Sequence, residues 1–264
     1  MENGKSITQE NREYWSGRAG TYSEVNQREL AGESRGMWKA ALGDAISLHF
    51  PWRDASDIRV LDVGTGPGFF AIILTEMGYR VSAIDMTTEM LAEASRNAGS
   101  LADKIGFMEM NAESLSFEDC SFDIVVTRNL TWNLAHPAEA YAEWCRVLRP
   151  GGLLINFDAN WYAYLFDEEA RSAYDEDRRN SAELGISDDN VGEDFDIMDD
   201  IASRVPLSSI ERPAWDLDLL ADLGMEAVAD TEVWRRVWTA EEKVNFASTP
   251  MFMITAIKKT AGVR

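Results

Sequence analysis

The sequence is poor in cysteine, histidine and positive charge, and each shortage excludes a class of function. Its 264 residues include 2 cysteines and 2 histidines, and 25 Lys and Arg stand against 46 Asp and Glu. Cys120 and Cys145 are too few for a disulfide framework and lack metal-ligand spacing, so we predict no metal site. A formal net charge of −21 repels nucleic-acid backbones and anionic lipids, which argues against both as partners.

Targeting and membrane-spanning signals are also missing. The first residues lack the basic start and apolar core of a signal peptide. No apolar run approaches the ~20 residues that a membrane span needs. These absences predict a cytoplasmic protein. The oligomeric state stays open, and a homodimer is among the alternatives.

Strand and helix patterns alternate through most of the chain. Residues 6–50 have a helical, amphipathic pattern that Pro51 closes. Strands are then predicted at 58–63, 81–84, 105–110, 122–127, 153–157, 226–234 and 251–258, and helices at 69–77, 88–97, 137–148 and 215–223. Strands that alternate with helices at this spacing predict βαβ crossovers and a doubly wound α/β fold with a parallel sheet.

The segment 158–212 interrupts this alternation. Between 158 and 200 it holds fifteen Asp and Glu against three Arg, which is −12 of the net charge, and it also carries Trp161, Tyr162, Tyr164, Phe166 and Tyr174. Because a disordered tail is poor in aromatics, we predict a mainly helical lid. The chain is thus expected to divide into an N-terminal helical cap at 1–50, a cofactor-binding core at 51–157 and 213–264, and the acidic, aromatic lid at 158–212.

The glycine-rich loop at 64–68 is the most informative segment. Gly64, Gly66 and Gly68 follow a short apolar run and precede a helical segment, so backbone N–H groups there can approach a polar ligand. The dinucleotide fingerprint needs a third small residue where Phe69 stands, which favours a nucleoside without a pyrophosphate. Asp85, after the second strand, can accept hydrogen bonds from both ribose hydroxyls of such a ligand.

Five motifs resemble those of the class I S-adenosylmethionine-dependent methyltransferases, in the small-molecule group that includes type 11 and ubiquinone-biosynthesis enzymes. They are Leu61-Asp62-Val63-Gly64-Thr65-Gly66-Pro67-Gly68, Asp85-Met86-Thr87, Asn111-Ala112-Glu113-Ser114-Leu115, Phe122-Asp123-Ile124-Val125 and Arg146-Val147-Leu148-Arg149-Pro150-Gly151-Gly152. The segment 213–259 resembles the family's closing helix, strand and reversed strand, whereas 158–212 matches none of it. The resemblance implies a Rossmann-like, seven-stranded, mostly parallel sheet with an antiparallel last strand, and S-adenosyl-L-methionine as cofactor.

The resemblance also implies a set of cofactor-binding residues. They are Tyr14, Tyr22, Asp62, Gly64, Gly66, Gly68, Asp85, Met86, Asn111, Ala112, Glu113, Arg128 and Asn129. Asp62 is expected to reach the amino group, and Arg128 and Asn129 to line the methionine portion. Asn111 stands where the family usually has Asp, and its side-chain carbonyl can still accept from the adenine amine. The aromatics of the N-terminal helix could instead serve helix packing.

Candidates for catalysis and for acceptor binding are fewer. His136 is a candidate general base, with N-capping as the alternative, and His49 is expected to end an N-terminal helix. Trp132, Asn133, Trp161, Tyr162 and Tyr164 are expected to shape the acceptor site. The acidic lid could favour a positively charged acceptor. Alternatively, the aromatics form the lid's own core and the carboxylates a solvated face.

The leading function is therefore methyl transfer to a small molecule by in-line displacement. Two alternatives stay open. A chain with intact cofactor motifs could be a non-catalytic S-adenosylmethionine-binding partner subunit. An NAD-dependent oxidoreductase is the other, with Phe69 as its main obstacle. The motifs do not predict the acceptor or whether its accepting atom is N, O, S or C.

Overall fold

A computed structural model of the chain describes residues 5–187 and 195–260, so part of the expected lid, 188–194, lies outside the described residues. Its helices are α1 (Ile7–Ala31), α2 (Ser34–His49), α3 (Phe69–Glu76), α4 (Thr88–Ala98), α5 (Pro137–Val147), α6 (Glu168–Leu184), α7 (Phe195–Ala202), α8 (Ala214–Asp222), α9 (Trp234–Val237) and α10 (Ala240–Asn245). Its strands are β1 (Arg59–Val63), β2 (Arg80–Asp85), β3 (Ile105–Glu109), β4 (Phe122–Arg128), β5 (Leu148–Asp158), β6 (Met225–Asp230) and β7 (Phe252–Lys258).

Within those residues, seven strands form one sheet in the order β3-β2-β1-β4-β5-β7-β6. Neighbours among β1 to β5 pair in parallel, and β7 runs antiparallel to β5 and β6. The expected doubly wound, mostly parallel sheet with an antiparallel last strand is confirmed. The order reverses between β1 and β4, so the loops after these two strands diverge and open a crevice at the carboxyl edge.

Three local differences from the predicted elements have physical reasons. The helical pattern of 6–50 breaks at Gly32, whose extended backbone ends α1. The predicted strand 226–234 ends at Asp230, and Trp234 begins α9. The predicted strand 153–157 begins earlier, as β5 at Leu148, because Leu148 already pairs with Phe122 before an irregularity in the ladder.

Helix α1 packs through polar contacts, although its pattern predicted an apolar face. A capping box between Ser6 and Gln9 begins the helix. Its buried residues include Ser23, whose hydroxyl accepts a 3.0 Å hydrogen bond from Asn97 Nδ2 of α4. Gln27 Nε2 donates to Asn97 Oδ1, also at 3.0 Å. Asn97 lies near the end of α4 and its Nδ2 also donates to the Pro67 carbonyl at 3.0 Å, so these hydrogen bonds hold α1 beside α4 and close to the glycine loop.

Apolar side chains cover both faces of the sheet. On one face Trp38 of α2 meets Phe70 and Phe157 edge-on, with ring centroids 5.3 and 5.0 Å apart. On the other, Tyr141 and Trp144 of α5 are fully buried. None of the helices in 5–187 and 195–260 combines the length and apolar content needed to cross a bilayer. The buried sheet thus holds the loops at its carboxyl edge in fixed positions.

Candidate active site

The glycine loop lies where the strand order reverses. Gly64 follows β1 with φ +66°, and a Cβ there would lie 2.8 Å from Cδ1 of Leu130, which follows β4. Positive φ and this close approach both require glycine. Gly66 also has positive φ (+52°), and its N–H donates to Asp85 Oδ2 at 2.9 Å. Both glycines line a cavity at the carboxyl edge of the sheet.

Gly68 has a different role from the one expected. It has φ +95°, and a Cβ would lie 3.0 Å from the Cβ of Ala94. It is not among the residues that line the cavities at the carboxyl edge. Gly68 therefore lets α3 begin against α4, and the structure places it outside the cavities that Gly64 and Gly66 line.

A cavity of about 80 Å³, here called the small cavity, extends from the loop to the ends of β2 and β3. Asp85 stands at its wall, and its Oδ1 accepts hydrogen bonds from the Thr87 N–H (3.0 Å) and hydroxyl (2.9 Å). Burial raises the pKa of Asp85, opposed by these hydrogen bonds. The remaining wall is mainly apolar, with Met86, Met90, Met110, Ala112 and Leu134. Flexible thioether side chains can pack against the faces of a planar base.

A second, smaller space of about 40 Å³, the loop cavity, lies behind Gly64 and Gly66. Asp62 lines it and is only 2% exposed. Thr65 Oγ1 donates to Asp62 Oδ2 at 2.6 Å. Burial raises the pKa of Asp62 to about 7. A cation that enters the cavity would stabilise the ionised form of this buried carboxyl group and lower its pKa.

Tyr22 and Arg128 line both of these cavities and also a much larger cleft. Arg128 Nη2 donates to Glu29 Oε1 at 2.6 Å, and its guanidinium carbon lies 4.9 and 4.8 Å from the ring centroids of Trp38 and Phe69. Nη1 of Arg128 is buried without a hydrogen-bond partner in the described part of the chain. A donor is thus available where the three spaces meet.

The large cleft has a volume of about 860 Å³. Its aromatic walls come from distant parts of the chain: Tyr14, Trp15, Tyr22, Trp38, Trp132, Trp161, Tyr162, Tyr164, Tyr174, Trp238 and Phe246. Trp132 and Tyr162 stack with ring centroids 4.7 Å apart. Asn129, with φ +55° at the end of β4, lines both the cleft and the small cavity. A molecule in the cleft can therefore reach one in the small cavity.

A fully buried ion network fixes the aromatic wall. Asp158 Oδ2 accepts from the Trp132 N–H at 3.0 Å, and Oδ1 accepts from the Trp161 indole at 3.1 Å. Arg212 Nη1 bonds to Asp158 at 2.6 Å and its Nη2 to Asp216 at 2.7 Å. The sequence does not predict Asp158, Arg212 and Asp216 as site residues, because the spacing along the chain does not indicate that Asp158 and Arg212, 54 positions apart, form an ion pair.

Three of the expected site residues, Asn111, Glu113 and His136, are linked by hydrogen bonds behind the small cavity. Asn111 Oδ1 accepts from the Glu113 N–H at 3.0 Å, and Glu113 Oε1 accepts from the His136 N–H at 2.8 Å. None of the three lines the cavities or the cleft. His136 is exposed at the N-terminus of α5 and its side chain makes no capping bond. The structure therefore does not place His136 as a general base, nor Asn111 and Glu113 as ligand contacts.

Two further residues line a different space from the one expected, since Tyr14 was expected at the cofactor and Asn133 at the acceptor. Tyr14 lines the large cleft and neither smaller cavity, whereas Asn133 lines the small cavity instead of the cleft. Trp161, Tyr162 and Tyr164 line the cleft as expected. No acidic residue from the described part of 159–212 lines the cleft, which favours the alternative in which the lid carboxylates form a solvated face.

Comparison with known proteins agrees with this geometry. Residues 61–156 match the family described as methyltransferase domain. Demethylmenaquinone methyltransferase from Deinococcus radiodurans is 38% identical over 136 residues, covering 51% of this chain and 54% of the relative. Ubiquinone/menaquinone biosynthesis C-methyltransferase UbiE from Rhodopseudomonas palustris is 35% identical over 142 residues, covering 52% and 54%. The chain spans about half the length of these curated relatives.

The fold also matches a solved structure. A putative methyltransferase from Haloferax volcanii, solved in complex with the Trm112 methyltransferase activator, superposes with a TM-score of 0.59 at 17% identity. The match covers 93% of this chain and 98% of that one. Because the two sequences are only 17% identical, this match shows a shared fold and no more.

Proposed function

We propose that this chain, whose residues 61–156 match the methyltransferase domain family, transfers a methyl group from S-adenosylmethionine to a small-molecule acceptor. The proposal rests mainly on one observation: the small cavity, the loop cavity and the large cleft are all lined by Tyr22 and Arg128, so the three spaces adjoin there. When bound, the cofactor supplies an activated methyl group that an acceptor atom takes by in-line displacement.

The residues of the two small spaces fit such a cofactor. Asp85 can hold the ribose hydroxyls while keeping its bonds to Gly66 and Thr87, because a carboxylate accepts several hydrogen bonds. The methionine-lined wall suits adenine. In the loop cavity Asp62 would meet the ammonium group, and the unpaired Nη1 of Arg128 the carboxylate.

The large cleft would hold the acceptor. Trp132, Trp161, Tyr162 and Tyr164 would position it and exclude water, which protects a displacement that depends mainly on alignment. In this proposal residues 158–212 act as lid, residues 51–157 and 213–264 as cofactor-binding core, and residues 1–50 as a cap whose α1 contributes Tyr14 and Tyr22.

An acceptor that arrives protonated needs a base. Glu29 is the carboxylate that lines both the loop cavity and the large cleft. Burial raises the pKa of Glu29, while the Arg128 charge opposes this effect. A carboxylate with a raised pKa accepts a proton more readily than an ordinary one. We therefore favour Glu29 over His136 for this role.

Calorimetry with S-adenosylmethionine and with NAD tests the proposal, followed by product detection over an acceptor panel. The panel includes demethylmenaquinone, the acceptor in the name of the Deinococcus relative. We expect S-adenosylmethionine binding and a methylated product. NAD binding without S-adenosylmethionine binding would refute the proposal, and cofactor binding without any product would favour a non-catalytic subunit. A homodimer, the absence of a nucleic-acid partner and a cytoplasmic location stay predictions.

A further inference from the structure

Arg18 of α1 lines the large cleft without an anionic partner. Its Nε is buried and has no hydrogen-bond partner, and no carboxylate among residues 5–187 and 195–260 forms an ion pair with it. The other arginines of the cleft are engaged: Arg128 pairs with Glu29, Arg178 bonds to the Asn245 carbonyl, and Arg28 has a partner as well. An unpaired guanidinium is unexpected in a chain with 46 acidic and 25 basic residues.

The place of Arg18 identifies the kind of ligand that it faces. Its charge acts on the hydroxyls of Tyr22 and Tyr162, in both cases lowering a pKa that burial raises. Tyr162 is the residue that stacks on Trp132. Arg18 lines neither the small cavity nor the loop cavity, which are the spaces proposed for the cofactor. Among the three spaces formed by the described residues, Arg18 therefore faces the large cleft alone, and an anionic group bound there is within reach of its charge.

The acidic residues of the cleft do not offer a matching cation site. Glu29 is paired with Arg128, and Glu242 Oε2 accepts from the Thr239 N–H at 2.7 Å to cap α10. Glu33 and Glu241 are exposed at the ends of α-helices. The described cleft is lined by four Arg and four Glu, and none of the four carboxylates is both buried and without a partner, whereas the Nε of Arg18 is.

We infer that the methyl acceptor is a planar, mainly apolar molecule with one anionic oxygen group, a carboxylate in the simplest case, that Arg18 binds. The aromatic wall of Trp132 and Tyr162 would receive the planar part by stacking. A guanidinium donates paired N–H groups to a carboxylate, so it both attracts and orients such a group. The inference rests on the proposed function, since it names the acceptor class of that same cleft.

Three probes that share a naphthalene ring test the inferred preference for an anionic acceptor: 2-naphthoate (anionic), 2-naphthalenemethanol (neutral) and 2-naphthalenemethylamine (cationic). Each is titrated into the full chain saturated with S-adenosylhomocysteine. Calorimetry is expected to show the naphthoate binding at least about tenfold more tightly than the alcohol, since a hydrogen bond to a charged group contributes about 1.5–3 kcal/mol. In Arg18→Gln the preference should fall to about twofold or less, and Arg18→Lys should restore part of it.

Arg179→Gln is the matched control, because Arg179 is exposed on α6, outside the cleft, and carries the same charge. It should keep the full preference for naphthoate. An alcohol or amine that binds the parent as tightly as naphthoate overturns the inference, as does an Arg18→Gln variant that keeps the preference, or a parent that binds none of the probes. S-adenosylhomocysteine affinity, measured first, separates the two hypotheses. It should be unchanged in Arg18→Gln, and its absence in the parent would instead refute the proposed function.

Discussion

Replacement of the buried carboxyl group Asp62 by Asn should change both stability and cofactor affinity in a pH-dependent way. Asp62 is 2% exposed, and burial raises its pKa from 3.8 to about 7. The neighbouring Asp85 charge acts in the same direction, while the Thr65 hydroxyl and the Arg128 charge oppose it. Below about pH 7 the protonated form of Asp62 therefore predominates when no cation is near.

The pKa difference sets the size of the stability effect. Each pK unit corresponds to about 1.4 kcal/mol, so three units give about 4 kcal/mol. Because the folded-state pKa is raised, this stabilisation is fully present below pH 3.8 and is lost as pH rises through about 7. Asp62→Asn cannot ionise, so it should gain stability relative to the parent as pH rises. Urea unfolding at about pH 5 and about pH 8 measures the difference.

Cofactor affinity should depend on pH in the opposite sense. The ammonium group favours ionised Asp62, so binding must release a proton below pH 7. We expect the affinity of the parent for S-adenosylmethionine to rise up to about tenfold per pH unit towards pH 7 and then to level off. Asp62→Asn should bind more weakly at neutral pH, with a flatter profile. Calorimetry in buffers of different ionisation enthalpy counts the released protons.

Asp54→Asn is the control, because Asp54 is an exposed carboxylate just before β1. It should keep the pH profile of the parent. A parent whose affinity is the same at about pH 5.5 and about pH 7.5 would refute the reasoning, and so would an Asp62→Asn variant with the slope of the parent.

Three further predictions concern other parts of the site. Asp85→Ala should weaken S-adenosylmethionine binding by about 1–3 kcal/mol in calorimetry, because two buried hydroxyls would lose a charged acceptor. Gly68→Ala should lower the free energy of unfolding by about 1–3 kcal/mol in urea titrations, because its φ of +95° and its contact with Ala94 exclude a Cβ. Its cofactor affinity should change little. Arg212→Met should lower the free energy of unfolding by about 3–5 kcal/mol, because Asp158 and Asp216 would be left buried without a cation.

Each of these variants has a control on the same scaffold. Asp103→Ala removes an exposed carboxylate and should leave cofactor affinity unchanged. Gly17→Ala, in the middle of α1 with open space around it, should not destabilise. Arg235→Met breaks an exposed ion pair with Glu232 and should alter stability little. Full cofactor affinity in folded Asp85→Ala, or stability equal to the parent in Gly68→Ala or Arg212→Met, would contradict the assigned contacts.

Much of the core was predictable from short-range patterns. Alternating strand and helix periodicity indicates the parallel sheet, and the loop after β1 with Asp85 after β2 indicates a nucleoside site at its carboxyl edge. The spacing also predicts which residues follow each strand, but not which way they point. Asn111 and Glu113 illustrate this, since their side chains bond to the backbone behind the cavity.

The sequence alone determined the sheet, the glycine turn and the identity of the carboxylates at the strand ends, because neighbours along the chain govern these features. Tertiary packing decided the rest. It brings Glu29 to Arg128 across 99 positions and Asp158 to Arg212 across 54, and it leaves Arg18 of α1 in the cleft without an anionic partner among residues 5–187 and 195–260. It also buries Asp62 deeply enough to raise its pKa to about 7. Charge pairing and burial depend on which elements meet in space, and the spacing of residues along the chain carries no direct record of that.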